Sequence, residues 1–213
     1  LEMGLTAARH LAGQHPDEID TYRRREALFL NELGSAWSAL GERRKAINYY
    51  EEALPIDRSL GNRGGEATTL NNIGRVWGDL GEKRKALEFY EQALPLYRDV
   101  EDRGGEATTL NNIGKVWADL GEKRKALDFY EQALPLRRAV GDRGGEATTL
   151  NNMAAIYFQE GQLDRAAESF EQIIAVFHQI GAIAEESAID FNLAVVFQRM
   201  NRLPEAIAQV EQS

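Results

Sequence analysis

Residues 63–102 and 103–142 are identical at 34 of 40 positions, and no other feature constrains the fold as much. A chain that repeats itself at such a period builds an array of small units. Each unit cannot bury its apolar face alone and depends on its neighbours. The six differences are Arg75/Lys115, Gly78/Ala118, Glu88/Asp128, Tyr97/Arg137, Asp99/Ala139 and Glu101/Gly141. With more drift, the same frame covers 23–62 and 143–182, and 183–213 form 31 residues of an incomplete fifth copy.

Each copy reads as two helices. In the second copy Leu70, Ile73, Gly74, Trp77 and Leu80 recur at helical spacing, Gly81 interrupts, and a second stripe follows. That stripe contains Ala86, Leu87, Tyr90, Ala93, Leu94 and Tyr97. Asp102-Arg103-Gly104-Gly105 closes the unit, with Asp102 an N-cap candidate for the next helix. No alternating β-branched run appears, so no strand is predicted. Pro55, Pro95 and Pro135 fall inside the second helix, yet the apolar pattern continues past them. The pattern predicts one long, bent helix there. At the N-terminus Leu5, Ala8, Leu11 and Ala12 suit a short helix and Pro16-Asp17 a helix start. We read residues 1–22 as a cap and linker over the first repeat.

The run Leu70, Ile73, Gly74, Trp77, Gly81, Ala86, Tyr90, Ala93 resembles the tetratricopeptide-repeat signature. It recurs as Leu110, Ile113, Gly114, Trp117, Gly121, Ala126, Tyr130 and Ala133, and the first copy keeps it from Leu30 to Ala53. The 40-residue period resembles the longer repeats of kinesin light chains and bacterial multi-repeat proteins. The resemblance implies an all-α, right-handed α-solenoid of antiparallel helix pairs. It implies small residues where paired helices cross, as at Gly74, Ala86 and Ala93, and first helices lining a concave groove.

At about 100° per residue, Leu70, Ile73, Gly74 and Trp77 share one side of the first helix. Thr68, Asn71, Asn72, Arg75 and Asp79 share the other, which the resemblance turns toward the groove. Asn72, Asn112, Asn152 and Asn192 hold one frame position in four successive copies. Asn31, Asn71, Asn111 and Asn151 hold the position before it, with Phe191 there in the fifth copy. An amide offers donors and an acceptor, which suits a peptide backbone of any sequence. The competing reading is that these residues bond between neighbouring helices. Arg75 and Lys115 add positive charge to the same side, unless they pair with Asp79 and Asp119 four residues on.

Other patterns point away from chemistry. Cysteine is absent, excluding a thiol nucleophile and thiolate-held metals. His10, His15 and His178 have no ligand spacing, so no metal or cofactor is expected. A net charge of −9 opposes binding to nucleic acid or an anionic membrane. The Arg-Gly-Gly runs at 63, 103 and 143 read as inter-repeat turns. Trp37, Trp77 and Trp117 read as core packing, and Lys83-Arg84-Lys85 and Lys123-Arg124-Lys125 as a solvated outer edge. The first residues show no basic segment leading into an apolar one, so a signal peptide is not expected and a cytoplasmic location is. The chain also reads as an excerpt of something longer.

These residues predict a non-catalytic module that binds an extended peptide or a partner helix. A different class competes, assembly through stacked solenoid ends, because Ala206, Ile207 and Val210 have no following helix to cover them. Regulation of an enzymatic domain outside the chain rests on analogy alone.

Overall fold

In the computed structural model, residues 1–14 and 18–212 are described, with side chains at 183–187 and 210–212 left aside. Pro16, Asp17 and the side chains of Glu185, Glu186 and Val210 therefore lie outside the described residues. Eleven helices are described and, among the described residues, no strand. They are α1 (Glu2–Gln14), α2 (Ile19–Ala39), α3 (Arg43–Ser59), α4 (Arg63–Asp79), α5 (Lys83–Asp99) and α6 (Arg103–Asp119). Then follow α7 (Lys123–Val140), α8 (Arg143–Gln159), α9 (Leu163–Ile180), α10 (Ile183–Arg199) and α11 (Leu203–Gln212). Two compact units divide the chain, Leu1–Asn112 and Ile113–Ser213, and α6 runs through the division.

In the first unit α2 pairs with α3 and α4 with α5, while α1 lies on α2 and α4 on α3. Leu5 of α1 is buried with Leu30, Leu33 and Ala53. Ala46, Ile47 and Tyr50 of α3 close on Ile73 and Val76 of α4. Ala67 and Leu70 close on Ala93 and Tyr97. In the second unit one cluster runs from Ala126 to Ala206 through Met153, Ile156, Phe170, Ile173 and Leu193. At about 25 cal/mol per Å² of apolar surface, this shared burial holds together helices that are marginal alone.

The prolines do not break the second helices: α3, α5 and α7 continue without interruption through Pro55, Pro95 and Pro135. Each proline sits on the exposed side, as does the residue four places before it, so the carbonyl left without a helix partner faces water. The Arg-Gly-Gly runs correct the sequence reading. They are the first turns of α4, α6 and α8 rather than inter-repeat turns. The side chains of Asn62, Asp102 and Asp142 cap those turns, accepting from the N–H of Gly65, Gly105 and Gly145 at 3.3, 2.9 and 2.8 Å.

The linking turns need one residue of positive φ. Gly61, Gly141 and Gly181 supply it between repeats, but the second repeat uses Glu101, with φ 55°. A side chain there meets a conformation that only glycine adopts freely. Glu101→Gly is therefore expected to raise stability by about 0.5–1 kcal/mol in urea denaturation.

Candidate functional site

The asparagines of the first helices divide into two kinds. Two of those one position after the core leucine, Asn31 and Asn71, face the next first helix. Asn31 Nδ2 donates to the carbonyl of Ala27 at 3.1 Å and to Thr69 Oγ1 at 2.9 Å. Asn71 Oδ1 accepts from Asn112 Nδ2 at 3.3 Å and lies 3.2 Å from Thr109 Oγ1, whose proton it shares with the Gly105 carbonyl at 2.9 Å. Asn71 and Asn111 are buried, while Asn151 is exposed. At Asn31 and Asn71 the inter-helix reading thus applies, and the threonines that complete these rungs, Thr69 and Thr109, lie fully buried.

The asparagines of the next frame position turn outward. Asn72, Asn112 and Asn152 are half-buried and Asn192 is exposed. Asn72 makes no hydrogen bond among the described residues. Arg75 and Lys115 are not consumed by the aspartates four residues on. Arg75 Nη1 instead reaches Ser38 Oγ at 3.4 Å, and Lys115 is exposed with no ion pair among the described residues.

In the second unit two of the expected residues meet. Lys115 of α6 and Asn152 of α8 line a cleft of about 250 Å³ with Asp119, Lys123, Tyr130 and Gln159. Ala118, Ala155 and Ile156 complete its walls. Burial, reinforced by the nearby Asp119 carboxylate, pushes the Tyr130 phenol well above its ordinary pKa, so its hydroxyl stays protonated. The cleft thus offers two ammonium groups, two amides and one carboxylate to a partner's polar groups, beside the side chains of Ala118, Ala155 and Ile156. Lys123 and Tyr130 were not read as site residues. Their signal is the tight loop: the first residue of the second helix folds back on the end of the first, as Lys83 Nζ does to the Gly78 carbonyl at 3.4 Å.

The tryptophans pack against the core as expected, Trp37 and Trp77 on one cluster and Trp117 on another, but the outer basic edge needs correction. Lys45, Lys85 and Lys125 stand over the rings of Trp37, Trp77 and Trp117 at 4.3, 4.2 and 4.4 Å. Each lysine also reaches a glutamate three residues before it, at 3.5, 3.8 and 3.5 Å. The tryptophans are half-buried and a cation of the same repeat lies over each ring, so these lysines do more than solvate the edge. Between repeats, Arg58–Glu66, Arg98–Glu106 and Arg138–Glu146 pair at 2.6 Å.

The first repeat carries a buried carboxylate. Asp57 accepts from Asn62 Nδ2 at 2.7 Å and from Thr69 Oγ1 at 3.2 Å, and burial pushes its pKa up against these bonds. Among the described residues no group of His, Asp and Glu could hold a metal ion, and no helix is long and apolar enough to cross a membrane.

A tetratricopeptide-repeat family model matches residues 25–99, 105–179 and 145–213. The chain is similar to BtubC (BKLC) from P. vanneervenii, at 23% identity and a TM-score of 0.83, covering 99% of this chain and 85% of that one. It is similar to the nearly identical TPR-like repeats assigned to a kinesin light chain of Podosopora anserina, at 17% identity and a TM-score of 0.70, covering 86% and 90%. The signal transduction ATPase with a tetratricopeptide repeat sensor from Pyrococcus horikoshii is similar at 17% identity and a TM-score of 0.74. All of this chain is covered in that comparison, but only 35% of the ATPase. At these identities the likenesses show the fold. No curated protein matches the sequence.

Proposed function

Because the chain belongs to the tetratricopeptide-repeat family, a fold that mediates protein–protein interaction, we propose that its first-helix face binds an extended peptide or a helix of a partner protein. The carrying observation is the cleft of the second unit, where Lys115 and Asn152 line one space. Lys115 attracts a partner's carboxylate, and the Asn152 amide addresses peptide N–H and C=O groups without regard to sequence. In the first unit Asn72, Asn112 and Arg75 present the same groups. Behind them Asn71 bonds to Thr109 and Asn112 of the next first helix and Asn111 is buried, while Asn151 and Asn192 extend the polar set of the second unit. Nothing in this reading calls for a catalytic group, a metal or a cofactor, and the chain acts as an interaction module.

The test is selection from a displayed peptide library against the wild-type chain and the Asn112→Ala/Asn152→Ala double variant. Peptides retained by the wild type and lost by a variant of unchanged helicity are the expected result. Selected peptides that bind both chains equally would place recognition elsewhere.

A further inference from the structure

The junction of the first two repeats and that of the third and fourth set the same frame positions side by side, with opposite results. In the first unit Arg75 of α4 crosses to α2, its Nη1 3.4 Å from Ser38 Oγ. The chain's own long side chain thus spans the space between two first helices. In the second unit the frame equivalents are Ala155 on α8 and Ala118 on α6. Both line the cleft of about 250 Å³, which stays open because neither can reach across it.

The same copy shifts the balance of charge. Arg75 is followed four residues on by Asp79, and Lys115 by Asp119, but the fourth copy has Ala155 and Gln159. The wall that α8 gives the cleft is therefore neutral. Facing it, α6 and α7 contribute Lys115 and Lys123 against the single carboxylate of Asp119. Neither lysine makes an ion pair among the described residues, and Lys123 is half-buried. An excess of positive charge in a cleft with apolar walls is screened less than on open surface, and it selects for an anionic occupant.

On the reading that the first-helix face binds a peptide, we propose that this cleft takes the side chain of a glutamate within the partner's chain, with Ala155 and Gln159 setting that preference. The ammonium groups stand across from Ala155 and Ile156, so the occupant needs an aliphatic stem tipped by a carboxylate. The stem lies on Ala155 and Ile156, and the carboxylate accepts from Lys115 and Lys123. A C-terminal carboxylate sits directly on the backbone and has no such stem. Gln159 donates from its amide where Asp79 and Asp119 of the earlier copies would repel the incoming charge. Ala155 supplies the room that Arg75 takes up in the first unit.

The probe is a displayed library of random peptides fused at their C-termini, so that none has a free carboxylate end. Peptides selected by the wild-type chain and lost with Lys115→Glu are expected to share one glutamate. Replacing that glutamate by glutamine should weaken binding about tenfold or more. So should Gln159→Asp, which returns the carboxylate of the earlier copies, and Ala155→Leu, which fills the cleft without changing its charge. Both chain residues are exposed, and unchanged helical circular dichroism checks that the variants fold. Lys115-dependent peptides that lack an acidic residue, or whose affinity survives Gln159→Asp, would overturn the proposal and leave the peptide-binding face standing. Lys115-dependent binders found only in a parallel library with free C-termini would give the cleft to a chain terminus and likewise overturn it. Empty selections from both libraries, or peptides indifferent to Lys115→Glu, would remove the peptide-binding reading itself and the proposal with it.

Discussion

Gly74→Val is expected to lower stability by about 2–3 kcal/mol, while Gly78→Ala, one turn further along α4, raises it by about 0.5–1 kcal/mol. Both glycines lie within α4, Gly78 in its last turn, where a side chain restricts the unfolded backbone and favours the helix. What separates them is the neighbouring helix. A Cβ on Gly74 would lie 2.8 Å from two atoms of the Tyr90 ring and 3.1 Å from the Ala86 carbonyl oxygen. The ring is buried and the carbonyl is backbone, so neither can give way cheaply. At Gly78 the nearest atom is the Ala86 Cβ at 3.8 Å, an ordinary contact. The third repeat already carries Ala118 at that position, but keeps Gly114 beside Tyr130. Urea denaturation of the two variants separates close helix crossing from helix propensity. A Gly74→Val chain as stable as wild type would mean that α4 and α5 do not cross at this glycine.

Thr69→Val, nearly isosteric, is expected to cost about 1–3 kcal/mol, because it strips a hydrogen bond from each of two partly or fully buried groups. The Thr69 hydroxyl supports the Asp57 carboxylate on one side and the Asn31 amide on the other. Asp57 makes the effect depend on pH. Its folded-state pKa is raised, so the folded chain holds this proton more tightly than the unfolded one. The associated stability is complete below the ordinary carboxyl range and is lost as pH rises through the folded-state value. Asp57→Asn is thus expected to stabilise the chain at neutral pH relative to wild type, with the gain shrinking as pH falls into the acid range. A double-mutant cycle of the two substitutions at neutral pH measures their coupling. A gain from Asp57→Asn that grows on acidification would reverse the sign and contradict the raised pKa.

The period and the spacing of Leu70, Ile73, Gly74 and Trp77 were enough to read helix pairs and the chain reversals between them. Asp102 as N-cap and the continuity of the second helix through Pro95 were equally legible, because each is settled within one turn of chain. Reading failed where a second helix decides the outcome. Asn71 and Asn72 fall on the same outer side of an isolated helix, yet the next first helix buries one and leaves the other half open. Lys85 and Trp77 look unrelated in the sequence, and only the turn at Gly81 brings the ammonium over the ring. Gly104 and Gly105 carry a composition that signals a turn, but the Asp102 cap draws them into the helix, and the Tyr97 ring leaves no room for a Cβ on Gly105. The cleft itself was half legible: Lys115 and Asn152 from their frame positions, Lys123 and Tyr130 not.

Engagement of a partner by the first-helix face through the cleft at Lys115 is tested by the affinity of a library-selected peptide for Lys115→Glu and for Arg124→Glu. The two variants change net charge equally, and both residues are exposed, but only Lys115 lines the cleft. Lys115→Glu is expected to weaken binding about tenfold or more, and Arg124→Glu to change it by less than about threefold. Equal losses in the two variants, or no loss at Lys115→Glu, would contradict it.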